Sequence, residues 1–138
     1  MSKIFLDTNV FVYANDGRDP ARQRAAIALV AKAVRSSTGA VSTQVLMEYA
    51  AVALRKLRQE RAAVVRQLLS MERLDVVPVD GALVRSALEL MPAYSLSFWD
   101  AAIVAAAQAA HCDILYSEDL SDGMSYGAVT VRNPLLAA

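Results

Sequence analysis

The chain has 138 residues, 56% of them hydrophobic, and its 14 basic and 14 acidic residues cancel. That length fits one domain over residues 1–138, and a neutral chain must meet any nucleic acid through a local patch or bound cations. A lone Cys112 excludes an internal disulfide and a cysteine-based metal site. The most apolar run, Ala101 to Ala107, is too short to span a membrane, and Met1-Ser2-Lys3 does not open a signal peptide, so a soluble cytoplasmic protein is expected.

Lys3 to Leu6 has the length of a buried strand, and a first helix follows Thr8. A second helix spans about Pro20 to Arg35, with Pro20 in the first turn, where its missing N–H costs nothing. Gly39 to Val41 reads as a short strand, and Ser42 caps a third helix reaching about Leu57. Another helix covers about Glu60 to Met71. The valine-rich Leu74 to Val79 is a third strand, and Asp80 caps a helix from Gly81 to Leu90. Pro92 to Leu96 is expected as a loop. Ser97 then caps an Ala-rich helix ending near His111, and Asp113 to Tyr116 is a fourth strand. After a polar loop, Ala128 to Val131 is expected as an edge strand. This alternation predicts an α/β fold with a mostly parallel sheet of about five strands flanked by helices. Sites in such sheets form beyond the carboxyl ends of the strands, so the polar residues there carry the functional reading.

Asp7 directly follows the first strand and Asp119 lies just past the fourth, so both face the same rim. Each also has an ordinary use, Asp7 as a helix cap and Asp119 in a solvated turn. Glu48 has Gln44, Val45, Ala51 and Val52 as its helical neighbours, with no base among them. A carboxylate on a helix with two apolar faces needs a partner from elsewhere, either a distant Arg or a cation. Asp100 shares a stripe with Ile103, Val104 and Ala107, which should lie on the sheet. Its spacing from Ser97 suits a capping box, which explains an acid in the first turn but not its place at the head of a buried stripe. No Lys or Arg stands within four residues of Glu48, Asp100 or Asp119, and only Lys3 comes that close to Asp7. Carboxylates gathered without His or Cys form a hard-oxygen site suited to Mg²⁺ or Mn²⁺.

Phe5-Leu6-Asp7-Thr8-Asn9-Val10 resembles the opening motif of PIN domains. Ser42 to Glu48, Ser97-Phe98-Trp99-Asp100-Ala101-Ala102-Ile103 and Leu115-Tyr116-Ser117-Glu118-Asp119-Leu120 are similar to its other three acidic blocks, in the same order. Asp122-Gly123 and Val131-Arg132-Asn133-Pro134 resemble the tail of bacterial VapC-like toxins. Ser117 stands where Thr is commoner, and Leu135 where Phe is common. The resemblance implies a three-layer sandwich with an acidic pocket and a magnesium-dependent endoribonuclease. It further implies homodimers and a cognate antitoxin of a type II toxin–antitoxin pair. Asp7, Glu48, Asp100 and Asp119 are then the catalytic and metal-binding residues, with Mg²⁺ (or Mn²⁺) as cofactor and RNA as substrate. Asp7 and Asp100 are expected as direct ligands, Glu48 and Asp119 through water, and Thr8, Asn9 and Ser117 as donors that steady them.

Arg55, Lys56, Arg58 and Arg61 make the best local basic patch, at the end of the Glu48 helix, where they also suit the last carbonyls. His111 is solitary and is given no catalytic part. Trp99 suits core or dimer packing better than stacking on a base. An aspartyl-phosphate phosphatase would want an acid two residues after Asp7, where Asn9 stands. A receiver domain would want its acceptor at Asp80, paired acids after the first strand and a late Lys, and lacks the last two. An RNA-binding module with a silent pocket is the alternative from outside enzymology, and the presence of all four acids counts against it.

Overall fold

A computed structural model describes residues 2–135. In chain order the elements are β1 (Ile4–Leu6), α1 (Thr8–Ala14), α2 (Pro20–Ser36), β2 (Gly39–Ser42), α3 (Thr43–Arg55) and α4 (Arg61–Met71). Then come β3 (Asp75–Val77), α5 (Gly81–Tyr94), α6 (Phe98–Ala109), β4 (Ile114–Tyr116), β5 (Ser125–Tyr126) and β6 (Val129–Arg132). One sheet runs β3-β2-β1-β4-β6-β5, parallel except for the β5–β6 pair. Among the described residues six helices flank it, α5 packing chiefly on α6 and α1 on α2 and α3. This is the expected α/β architecture, with six strands rather than about five.

The caps form where the sequence placed them. Ser42, Asp80 and Ser97 each accept a bond from the backbone N–H three residues on, and Pro20 opens α2 behind an Asp19 cap. Residues Ala101 to Ala107 of α6 are all buried, and their short side chains let that helix lie close on the sheet. Gly39 answers to a similar constraint: a Cβ there would stand 2.8 Å from both Ala33 Cβ and Leu74 Cδ2. No single helix among the described residues is long and apolar enough to cross a membrane.

Two expectations are corrected. The segment from Pro92 is not a loop: α5 continues through Pro92 to Tyr94 and stops at Ser95, whose φ of 55° is left-handed. Pro92 denies a donor to the carbonyl of Leu88, but Leu88 is exposed and water can serve that group. The second concerns the last strand. β6 lies between β4 and β5, with Val129 and Val131 buried, so the two-residue β5 is the edge. Gly127, at φ 61°, makes the tight turn that folds β5 back on β6.

Chain order reverses at β1. The sequence β1, β2, β3 proceeds outward on one side, and β4 returns to pair with β1 on the other. A crevice opens at such a switch point beyond the carboxyl ends of the two strands. Asp7 follows β1 there, and Ser117 to Asp119 follow β4.

Candidate active site

Asp7 is buried, and it ends β1 as the N-cap residue of α1. One carboxylate oxygen, Oδ1, accepts from the backbone N–H of Thr8 at 2.7 Å, so the capping reading holds for half the group. The other, Oδ2, accepts from the Ser117 hydroxyl at 2.8 Å. Ser117 Oγ in turn accepts from the backbone N–H of Asp119 at 3.2 Å, and Asn9 Nδ2 donates to Asp119 Oδ2 at 3.2 Å. Thr8 Oγ1 donates to Glu48 Oε1 at 2.9 Å, joining the start of α1 to α3. All three residues expected to steady the carboxylates therefore bond to one of them.

Glu48 and Asp100 are half-buried on α3 and α6. Ser97 Oγ accepts from the backbone N–H of Asp100 at 3.2 Å. Among the described residues the reciprocal bond from the Asp100 carboxylate to Ser97 is absent, so the cap uses the main chain of Asp100 and leaves its acid free. Asp7, Glu48, Asp100 and Asp119 all line one open cavity of about 320 Å³, together with Thr8, Asn9, Gln44, Arg55 and Trp99. The four residues singled out in the sequence are thus brought together. Among the described residues the ion pairs are Lys3–Asp75, Arg18–Asp16 and Arg22–Asp19, so no distant Arg neutralises Glu48 or any other of the four.

The acid held deepest is perturbed most, by burial first and by its acidic neighbours after that. Burial is the main reason the Asp7 carboxyl is pushed up from 3.8 to about 6. The bonds from Thr8 and Ser117 oppose the shift, while the charges of Asp119 and Glu48 add to it. Asp119 is also raised, by burial first and then by the charges of Glu118 and Asp100. Cations favour the ionised form of each, so the pocket is electrostatically incomplete by itself.

Among the described residues no three Asp, Glu, His or Cys side chains close into a ready-made metal cage. Mg²⁺ does not require one, since it keeps several waters and usually takes only one or two carboxylates. The cavity, about 320 Å³ and open to solvent, is many times what one water needs and leaves room for a hydrated cation reached partly through water. An all-oxygen donor set around a carboxyl raised chiefly by burial fits that group.

Gln44 escaped the sequence reading, which took it only as a neighbour of Glu48. It is buried; its Nε2 donates to the Trp99 carbonyl at 3.2 Å and approaches Glu48 Oε1 at 3.5 Å. Its orientation is fixed, because a flipped amide would aim an oxygen at two acceptors. Oε1 is left without a partner, the one such buried side-chain atom among the described residues. A glutamine one turn ahead of an acid, on an otherwise apolar helix, was the signal.

The PIN domain family model matches residues 4–121, which contain all four acids and their donors. The chain belongs to the PIN domain family. No curated protein matches it. Among solved structures, this PIN domain is similar to VapC20 of Mycobacterium tuberculosis, a sarcin–ricin loop cleaving toxin. The two are 22% identical over 83% of this chain and 88% of that one, with a TM-score of 0.63. A toxin–antitoxin complex from Klebsiella pneumoniae is 21% identical over 96% and 98%, with a TM-score of 0.65. VapBC2 from Rickettsia felis, bound to a DNA fragment from its promoter, is 17% identical over 94% and 97%, with a TM-score of 0.67. Identities this low establish the common fold.

Proposed function

We propose that this PIN domain is a magnesium-dependent endoribonuclease, cytoplasmic, and the toxin of a type II toxin–antitoxin pair. The observation that carries the nuclease reading is the convergence of four carboxylates, none of them in an ion pair, on one cavity at the sheet's switch point. Asp7 and Asp100 would hold Mg²⁺ (or Mn²⁺) directly, with Glu48 and Asp119 acting through water. The cation would lower the pKa of a bound water and stabilise the oxygen leaving phosphorus. The chain's own part is to fix the carboxylates. Ser117 and Thr8 hold Asp7, Thr8 holds Glu48, and Asn9 holds Asp119. Arg55, on the cavity wall, is placed to take a phosphate oxygen of RNA.

The toxin part rests on likeness to VapC20 and to the toxin–antitoxin complexes from Klebsiella pneumoniae and Rickettsia felis. It carries with it a protein antitoxin as partner and a homodimer as the assembly. The experiment is cleavage of RNA by purified protein with Mg²⁺, with EDTA, and with the Asp7→Asn variant. Cleavage that needs Mg²⁺ and Asp7 supports the reading; cleavage indifferent to both would sink it. Expression without a partner should arrest growth, and Asp7→Asn should relieve the arrest. A harmless but active wild type would instead mark a housekeeping RNA-processing enzyme.

A further inference from the structure

Trp99 is the chain's sole tryptophan, and its side chain is not in the core: the residue is 64% exposed. It lines the acidic cavity beside Asp100, in the first turn of α6. The Phe98 ring meets the indole edge-on at 5.1 Å with an interplanar angle of 76°, and the backbone carbonyl of Trp99 accepts from Gln44, which fixes the main chain there. The indole is thus left exposed on the wall of the reaction cavity, with surface to offer an occupant.

We infer that Trp99 is a stacking platform for an unpaired nucleobase of the RNA, beside the phosphate that is cut. The inference rests on the nuclease reading above and names the form of RNA that the site accepts. A polyanion approaching four carboxylates on a protein of zero net charge gains little from the global field. Affinity must then come from local cations and from contacts indifferent to charge. Arg55 on the same cavity wall supplies the first, and it has no ion-pair partner among the described residues. The π face of Trp99 supplies the second, since base–aromatic stacking is strong and tolerates any sequence. Bases paired in an A-form helix present only their edges, so a base on Trp99 comes from a single strand or a loop. A second copy of the chain seated on Trp99 would instead cover part of the cavity the substrate must enter.

The lone tryptophan makes the inference directly readable. Full-length Asp7→Asn protein, which leaves RNA intact, is titrated with a mixed-sequence single-stranded oligoribonucleotide, an abasic strand of equal length, and the duplex. Binding is followed by anisotropy of labelled strands, and Trp99 by its emission. The single strand should quench the emission as it binds, while the abasic strand and duplex should not. Trp99→Leu should weaken single-strand binding by on the order of tenfold, and Trp99→Phe should keep most of the affinity. In the cleaving enzyme Trp99→Leu should raise KM more than it lowers kcat, with Mn²⁺ affinity unmoved. Bound RNA without quenching, or Leu serving as well as Phe, overturns the inference. So does emission that follows protein concentration and a doubling of mass but not RNA, which would make Trp99 a dimer contact. Failure to bind Mn²⁺ or to cleave would sink the nuclease reading instead, and quenching by RNA is measured independently of both.

Discussion

Ser117 donates to Asp7 across 110 residues of chain, and among the described residues that bond is one of two that reach this buried carboxylate. Ser117→Ala removes it and leaves Asp7 Oδ2 without its protein donor. The expected result is a loss of about 1–3 kcal/mol of stability near pH 8 and a metal affinity lower by roughly 10–100-fold. Ser117→Thr keeps the hydroxyl and should keep both. Urea denaturation and Mn²⁺ titration read the two effects, and an alanine variant matching wild type in both would mean that the bond is idle.

The Asp7 carboxyl gives the metal-free protein a distinct pH response. Its folded value of about 6 lies above the ordinary 3.8, so between them the folded chain binds more protons than the unfolded one. Stability from this group is therefore fullest below about pH 4 and falls as pH rises through 6, by about 3 kcal/mol in all. Other carboxylates titrate over the same range, so the measurement is the difference between wild type and Asp7→Asn in EDTA. That difference should grow from pH 4 to pH 7 in favour of the variant. Protons compete with the cation at the same group, so Mg²⁺ should bind more weakly below pH 6.

Asp100 separates helix capping from metal binding. Asp100→Asn retains the main-chain bond to Ser97 and removes a charge that pushes Asp119 upward. In EDTA the variant should melt no lower than wild type, and added Mg²⁺ should stabilise it much less. Cleavage should fall by more than about a hundredfold, beyond what loss of an outer partner does. Capping alone predicts a lower melting temperature in EDTA, by about 0.3–1 kcal/mol of stability, and an unchanged response to Mg²⁺.

Gly39→Ala tests the packing that seats the site. The new methyl would overlap Ala33 of α2 and Leu74 just before β3, two buried core groups, neither the end of a long flexible chain. A cost of about 1–3 kcal/mol is expected, or roughly 3–10 °C in melting temperature. Cleavage at low temperature should survive, because no cavity residue is touched.

The acids were legible in the sequence because their surroundings made each of them anomalous. Asp7 and Asp119 lie just past strands, while Glu48 and Asp100 interrupt apolar helices. That they share one cavity was legible only through the resemblance to PIN domains and not from the residues themselves, since the parallel pairing of β1 with β4 is what brings positions 7 and 117 together. β5 went unseen because two residues carry no periodicity. Pro92 misled because the penalty it usually imposes is smaller near a helix end, and here the bond it removes would start from Leu88, an exposed residue close to the end of α5. Trp99 was expected in a core or dimer contact, and its exposure on the cavity wall depends on how α6 docks, which side-chain type alone does not determine.

The position of β1 also sets when the acidic pocket can first assemble during synthesis of the chain. The ribosome makes β1 early, yet β1 sits in the interior of the sheet and one of its two partners is β4. At ~5–20 residues per second, roughly 6–22 s pass between the emergence of Asp7 and that of Ser117. Throughout that interval a nascent chain can hold Asp7, and then Glu48 and Asp100, with neither Ser117 nor the fourth acid. The pocket is therefore completed late in translation, and a prematurely terminated chain lacks part of it.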